Sequence, residues 1–584
     1  MSFTSVSGKK WIFKNFSDTD VKDYSEKHSL SEIVSKLIAI RNKKFINPDL
    51  YLKPTIKKLL PNPLILKDMQ KAVDRTFQSI KKKETIGIFG DYDVDGATST
   101  ALLSLYFSSI KKDFNTYIPD RKKEGYGPSI KGFDSLIVNG SKIIFTVDCG
   151  TLSFEAINYA QKKKVDIIVL DHHQSDVKIP AACAVVNPNR YDDNSELNYL
   201  CAAGVCFMFI VALNRKLIND RWFNKEKIEI PNVLNLLDLV CLGTVCDVVP
   251  LVGLNRALVK QGLKIIKNRS NLGLKTLYDL CNIKSQPSTF DLGFKLGPRI
   301  NAGGRVGKSS HGAELLISKD ASKAYKIATD LERYNNERKS IETILIDEVS
   351  IKAKNLKNDP VIILSGNNWH EGIIGIIASR IKDKYSKPTI LISLDKNLGK
   401  GSARSIPGFD IGTHIIKCVQ SGILDKGGGH KMAGGFTIKN SNISKFKDFL
   451  FKEIRKLDLN ILKTSNLYLD SKISALALNE DFFNEVNSLA PFGSGNSEPR
   501  FAIENLKVIN SNIVGKNHIK SVLIAKNGFV FKSIAWNAIN SELEPYLTKK
   551  RGLTFDVAGK MHLNEWNGKK NVEFIIEDIL TMPK

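Results

Sequence analysis

No two of the eight cysteines in this chain are spaced as C-x-x-C. They stand at 149, 183, 201, 206, 241, 246, 281 and 418, in apolar surroundings such as those of Cys241 and Cys246. They read as buried free thiols, which excludes a disulfide scaffold and fits a reducing compartment. No run approaches the roughly 18 apolar residues of a membrane span, and Met1 to Trp11 has no apolar signal core. The expectation is a cytoplasmic protein with no membrane partner. There is no internal repeat, no low-complexity tract and no heptad pattern, so a monomer is expected.

Arginine is scarce, with 17 residues against 69 lysines. Acidic residues are outnumbered too, 61 to 86, leaving a net charge of +25 and a pI near 9.4. Such an excess favours a polyanionic partner, nucleic acid or anionic membrane; lysine-biased AT-rich coding is the competing explanation. Residues 1–84 carry +9, residues 461–584 only +2, and the middle holds the remaining +14. The 584 residues suggest three to four domains, and 42% hydrophobic with 25% charged residues excludes a disordered or collagen-like chain.

Residues 1–84 read as a basic, mostly helical lead-in, broken at Phe45-Ile46-Asn47-Pro48 and Pro61-Asn62-Pro63. From 85 onward, β-branched runs alternate with helical periods. Strands are expected at 85–89, 142–147 and 165–170, and helices at 97–110 and 154–163. Continuous apolar strands separated by helices indicate a parallel sheet covered on both faces. Residues 322–358 read as one long connector helix, with apolar residues at 328, 331, 334, 341, 345 and 349. A second α/β unit follows from Val361 to about Leu450. Beyond 461, short strands between glycines and asparagines suggest a small β-barrel. The expected fold is therefore two α/β lobes joined by a long helix, plus the barrel. The boundaries are 1–84, 85–285 (the first lobe), 286–358 (connector), 359–460 (the second lobe) and 461–584.

The first strand ends in Gly90-Asp91-Tyr92-Asp93-Val94-Asp95-Gly96. Carboxylates this close repel unless a cation neutralises them, although a solvated acidic turn would also look like this. An EF-hand is excluded by the missing helix–loop–helix frame. The second strand ends in Asp148-Cys149-Gly150 and the third in Asp171-His172-His173. Ligands of open parallel sheets bind beyond the strands' carboxyl ends, so three strands aim carboxylate or imidazole at one edge. The apolar stretch 236–246 then supplies Asp247. Mixed carboxylate and imidazole donors suit Mn²⁺ or Mg²⁺ more than structural zinc. Several carboxylates around one point suit two ions roughly 3.5–4 Å apart, as in phosphoryl hydrolases.

Asp171-His172-His173, with Asp93-x-Asp95, Asp148 and Asp247, resembles the DHH phosphoesterase superfamily and, within it, the RecJ-like single-strand exonucleases. The resemblance runs over nearly the whole chain. It includes Asn47-Pro48-Asp49-Leu50, Asp68-Met69-x-x-Ala72-Val73, Gly243 to Leu251 (with Cys246 where Ala is usual) and Gly297-Pro298-Arg299-Ile300-Asn301-Ala302-Gly303-Gly304-Arg305. It implies a 5′-to-3′ exonuclease acting on single-stranded DNA in recombination and repair, aided by a single-strand-binding protein and a helicase. It also implies one metal on Asp95, Asp148, His172 and Asp247 and another on Asp93 and Asp148. Phe89 stands where smaller relatives have a histidine, which implies a weaker second site supported by Asp91. Asp91, Asp171 and His173 are the expected catalytic group. For His173, substrate contact and ligand orientation both remain open.

Gly427-Gly428-Gly429-His430-Lys431-Met432-Ala433-Gly434-Gly435 could converge backbone N–H groups on an anion or be a plain glycine-rich turn. Gly401-Ser402-Ala403-Arg404-Ser405 reads as a second small-residue loop, and Trp369-His370-Glu371 precedes both. These resemble the DHH-associated domain that grips substrate phosphates. The expected substrate contacts are Arg299, Asn301, Arg305, Ser402, Arg404, Gly428, Gly429 and His430. His370 could equally be a helix cap. His28, His311, His414, His518 and His562 show no partner pattern. Pro491-Phe492-Gly493-Ser494-Gly495-Asn496-Ser497-Glu498-Pro499 resembles the RecJ segment entering its OB-like barrel, where Phe529, Phe531 and Trp536 either stack on bases or form core. Two readings compete: a nanoRNA or cyclic-dinucleotide phosphodiesterase, and a non-catalytic strand-binding scaffold. The full set of metal-type ligands disfavours the scaffold, and the lead-in and barrel disfavour the small phosphodiesterase.

Overall fold

The computed structural model describes residues 4–41, 47–121, 123–456, 466–549, 552–566 and 568–581. The expected break at Phe45-Ile46 and the boundary at 460/461 lie outside the described residues. The chain forms two compact units: 54–344 with 491–496, and 1–53 with 345–490 and 497–584.

The lead-in is mostly helical, as expected, but it also contains a strand, β1 (Lys10–Phe13). The helices Asp18–His28 and Glu32–Arg41 follow it in the same unit, whereas Met69–Lys81 packs in the other. The turn at 61–63 does break the helices, with Asn62 capping a short 3₁₀ turn that begins at Pro63.

The unit 54–344 is built on a five-stranded, all-parallel sheet. Its strands are β2 (Thr85–Gly90), β3 (Phe114–Tyr117), β4 (Ser141–Val147), β5 (Asp166–Leu170) and β6 (Ala184–Val186), in the order β3-β2-β4-β5-β6. β3 and β6 are short edge strands of four and three residues. Side chains alternate between two cores. Ile86, Ile88, Ile143, Phe145, Ile168 and Leu170 face one, while Phe89, Ile144, Ile167 and Val169 face the other. That two-sided burial is why the strands read as unbroken apolar runs.

The larger core includes the helix Ala202–Asn219, which corrects the expectation that no segment could span a membrane. By length and composition it could, but 78% of it is buried inside this unit, and it is a core helix. All eight cysteines are free; Cys183, Cys246 and Cys281 are only partly buried, a correction to the fully buried reading.

The long helix is present as Ala321–Asn355. In the other unit, β7 (Ile362–Asn367), β8 (Thr389–Asp395), β9 (Leu398–Arg404), β10 (Lys426–His430) and β11 (Ala433–Lys439) form a mixed sheet ordered β10-β11-β9-β8-β7. Two sequence expectations are corrected here. Gly401–Ser405 is not a loop: residues 401–404 lie within β9. The glycine-rich motif is the β10–β11 hairpin, with Gly428 opposite Gly435 and Gly429 opposite Gly434. Small residues disguised these strands because strand pattern is read from bulky side chains.

β12 (Asn466–Leu469) pairs in parallel with β1. β13 (Ser471–Lys472), β14 (Phe501–Val514), β15 (His518–Ala525), β16 (Val530–Ala535), β17 (Phe555–Trp566) and β18 (Lys569–Thr581) form the barrel, closed by β14 against β17. Asp470 ties the N-terminal residues to it. Its buried carboxylate meets Arg41 at 3.0 Å and Lys14 at 3.2 Å and accepts the Arg500 N–H at 2.9 Å. Removing one partner of a buried ion pair strands the other charge. Asp470→Asn should therefore destabilise this unit by about 3 kcal/mol, read as a lower urea midpoint; an unchanged midpoint would contradict the anchoring.

Candidate metal centre

Each ligand-type side chain sits at the end of a strand or within a turn of a helix end. Asp91 follows β2. Asp93 caps the helix Val94–Ser109 and accepts the Gly96 N–H at 3.0 Å. Asp95, in the first turn, accepts the N–H groups of Ala202 and Ala203 at 2.7 and 3.0 Å, so the positive end of the core helix holds it. Asp148 follows β4 in the left-handed conformation (φ 60°), Asp171-His172-His173 follow β5, and Asp247 caps the helix Leu237–Cys246. Parallel strands with a common direction bring these groups to one edge.

His172 Nε2 lies 3.3 Å from Asp148 Oδ1, 3.6 Å from Asp247 Oδ2 and 3.8 Å from Asp95 Oδ2. Three overlapping donor groups result: Asp95/His172/Asp247, Asp91/Asp93/Asp148 and Asp148/His172/His173. The Asp91 Oδ1, Asp148 Oδ1, His172 Nε2 and Asp247 Oδ2 atoms are buried without a hydrogen-bond partner. Orphaned buried acceptors of one sign, converging on a point, fit a divalent cation of the Mn²⁺ or Mg²⁺ kind.

Burial pushes the carboxyls of Asp91, Asp95 and Asp148 above the usual range, and neighbouring carboxylates such as Asp93 add to it. Asp247 is pushed up to about 9, again by burial first and then by Asp95 and Asp93. Asp171 differs. Burial opposes its charge, but His173 overrides that and holds it below the ordinary value. Its oxygens accept from Thr151 Oγ1 at 2.6 Å, the His172 N–H at 2.8 Å and His173 Nδ1 at 2.8 Å. The reciprocal effect, working against burial, lifts His173 to about 9.

A cavity of about 250 Å³ adjoins the cluster, lined by Asp91, Tyr92, Asp93, Arg121, Tyr126, His173, Asn301 and Arg305. Asn301 also accepts the Val94 N–H through Oδ1 at 3.1 Å. Arg299 does not line it. Its guanidinium is engaged by Glu332 and donates to the Lys295 carbonyl at 2.7 Å. Of the three residues expected to share a cleft, Asn301 and Arg305 line this cavity and Arg299 is engaged by Glu332.

In the other unit, strand register collects the remaining candidates. Gly428, Gly435 and Ser402 lie in one cross-strand row, and His430, Ala433 and Arg404 in another, with Gly429 between them. Arg404 donates to Ser402 Oγ at 3.3 Å and to the Ala403 carbonyl at 2.8 Å. A side chain at Gly375 would come within 2.9 Å of Ser402 Oγ and 3.0 Å of Arg404 Nη2. His370 caps the helix Glu371–Tyr385, accepting the Gly372 N–H at 3.2 Å.

Three family models match: the DHH family N-terminal domain over residues 85–244, the DHHA1 domain over 358–456 and the RecJ OB domain over 469–578. The single-stranded-DNA-specific exonuclease RecJ of Haemophilus influenzae is 35% identical over 544 residues, 90% of this chain and 93% of that protein. The chain belongs to the RecJ family. RecJ of Escherichia coli is 32% identical, covering 90% of this chain and 92% of its own. The crystal structure of RecJ in complex with Mn²⁺ from Thermus thermophilus superposes with a TM-score of 0.80 at 25% identity, over 98% of this chain and 80% of that one.

Sequence reasoning on this RecJ-family chain missed Arg121, Tyr126, Thr151, Asn187 and Asn189. Tyr126 Oη donates to the Asp148 carbonyl at 3.0 Å and lies 3.2 Å from the His173 ring nitrogens. Asn187 and Asn189 hold the His173 and His172 carbonyls at 2.8 and 2.5 Å. Only the run Arg121 to Tyr126, charged and glycine-containing after a strand, offered a signal.

The raised carboxyls have a measurable consequence. Without metal, the folded state holds protons that the unfolded chain releases near the ordinary carboxylate value. Stability that is full at low pH is therefore lost as pH rises toward about 9, where Asp247 titrates. A cation displaces those protons. The gain in Tm on adding Mn²⁺ should be larger at about pH 8.5 than at about pH 6; equal gains would contradict the cluster's role.

Proposed function

We propose that this chain removes nucleotides from the 5′ end of single-stranded DNA, hydrolysing phosphodiester bonds with two divalent ions, in recombination and repair. The observation that carries the reading is the cluster of orphaned carboxylate and imidazole atoms at the sheet edge, beside a cavity lined by Arg121 and Arg305. Asp95, Asp148, His172 and Asp247 would hold one ion. Asp93 and Asp148 would hold the other, with Asp91 in support. Mn²⁺ or Mg²⁺, when bound, would lower the pKa of an attacking water and neutralise the phosphoryl oxygens.

The chain's own groups do the rest. Arg121 and Arg305, with Asn301, would hold the phosphate against the cluster. His173, protonated near neutral pH, would donate to a phosphoryl or leaving oxygen, while Asp171 fixes its ring and so acts as a positioning residue. Ser402, Arg404, Gly428, Gly429 and His430 form a compact polar ribbon suited to a further backbone phosphate. The net charge of +25 supports a polyanionic substrate. In the barrel, Phe531 is core, whereas Phe529 is half-buried and Trp536 is exposed and edge-on to His518, so Trp536 and Phe529 are the candidates for stacking on bases. A monomer working in the cytoplasm with a single-strand-binding protein and a helicase completes the proposal.

A short strand labelled in turn at each end tests it, with Mn²⁺, with Mg²⁺ and with EDTA, beside Asp148→Ala and a duplex control. The expected result is mononucleotide released at once from the 5′ label only, abolished by EDTA and reduced at least 10²-fold, roughly, in the variant. Tight strand binding without metal-dependent cleavage would overturn it.

A further inference from the structure

The motif at 491–499 has no part in the reaction proposed above. Its first six residues, Pro491–Asn496, nonetheless leave the unit formed by their flanking segments and are built into the metal-bearing one. They close on themselves. The N–H groups of Gly493 and Asn496 donate to each other's carbonyls at 2.9 and 3.2 Å, and Asn496 Nδ2 donates to the Pro491 carbonyl at 2.8 Å.

This knot is pinned at three points. The Leu251 N–H donates to the Ser494 carbonyl at 2.8 Å. Arg256, among the bulkiest fully buried side chains, donates to the Pro491 carbonyl at 3.3 Å. Thr289 Oγ1 donates to the Phe492 carbonyl at 2.7 Å. Glycine is needed where the surfaces meet. A Cβ on Gly493 would lie 2.7 Å from Leu251 Cδ1. Gly495 has φ +70°, and its Cβ would lie 2.9 Å from Pro250 Cβ.

The knot rests on the turn that presents Asp247. Val248 follows that ligand at φ 60°, a left-handed conformation that a β-branched residue avoids. Its side chain is 67% exposed, so its own packing does not hold it there. The helix end holds the turn at its start, with the Asp247 and Val248 N–H groups donating to the Gly243 and Val245 carbonyls at 2.9 and 3.3 Å, and the stretch from Pro250 onward holds it at its other end. The Pro250 carbonyl accepts from Asn255 Nδ2 at 3.0 Å, and Leu251 is buried under Gly493. A strained conformation persists only where its surroundings over-determine it.

We propose that Pro491–Asn496 is a positioning element for the metal ligand Asp247, a clasp that holds the strained turn so that the carboxylate stays aimed at Asp95 and His172. The proposal rests on the metal-centre reading above and adds a residue set that acts through a ligand. It also separates the two donor groups: Asp91/Asp93/Asp148 sits at the ends of β2 and β4 and at the start of the helix Val94–Ser109, none of which donates to or accepts from Pro491–Asn496.

The test is Mn²⁺ binding to the full chain without DNA, followed by electron paramagnetic resonance of the free ion. Gly495→Ala should weaken one site about 10-fold and leave the other within about twofold, and Asp247→Asn should weaken the same site. Thr289→Val, which keeps both glycines, should weaken that site by a smaller factor and decides the matter if Gly495→Ala does not fold. At saturating Mn²⁺, kcat of the clasp variants should return to near the wild-type value. Folded variants with wild-type affinity at both sites, or with equal weakening at both, would overturn the clasp. A wild-type chain that binds no Mn²⁺ would overturn the metal reading first, a distinguishable failure.

Discussion

Like charge held together out of water governs this protein. Asp91, Asp95 and Asp148 are almost fully buried, with Asp93 and Asp247 partly so beside them. Two unit charges about 4 Å apart repel by roughly 4 kcal/mol at an effective dielectric constant near 20. A few such pairs equal the whole net stability of an ordinary domain, about 5–15 kcal/mol. The chain can carry this group only if protons or cations neutralise it: backbone N–H groups reach Asp93 and Asp95, but Asp91 Oδ1, Asp148 Oδ1, Asp247 Oδ2 and His172 Nε2 are buried without a hydrogen-bond partner. Asp171 is the contrast. Equally buried, it is satisfied by the Thr151 hydroxyl, three backbone N–H groups and the His173 ring, which hold it in its ionised form.

The sheet makes that concentration possible. Parallel strands point their carboxyl ends the same way, and helices on both faces keep water from the strands themselves. Polar groups are thus driven to one edge, where backbone N–H groups of the helix Ala202–Asn219 steady Asp95. The same geometry leaves the ligands on separate elements. Nothing covalent fixes Asp247 to its partners, and its turn carries a left-handed valine. A segment brought in from far along the chain, 491–496, braces that turn.

Much of this was legible in the residues. The central strands β2, β4 and β5 announced themselves because both faces are buried, and the aspartates that end them stood out because acidic residues rarely follow such runs together. The barrel strands alternate, and the long helix keeps its period. What was hidden had physical causes. β9 to β11 are made of glycine, serine and alanine, which carry no strand signature. Arg299 and Arg305 share a motif, but Arg299 pairs with Glu332 while Arg305 lines the cavity, a difference that residue type and spacing do not carry. Thr151, Asn187 and Asn189 act through single hydrogen bonds that leave no pattern. The core helix Ala202–Asn219 is apolar enough for a membrane and was not singled out, because a helix buried all round differs from a span only in what surrounds it.

The claim on which everything turns is that cations sit among these carboxylates with Asp148 between them. Crystals of the full chain grown with Mn²⁺ and measured at the manganese absorption edge test it directly. The account predicts two anomalous peaks about 3.5–4 Å apart, flanking the Asp148 carboxylate, one against Asp95, His172 and Asp247 and the other against Asp93 and Asp91. A single peak, or peaks away from Asp148, would contradict it.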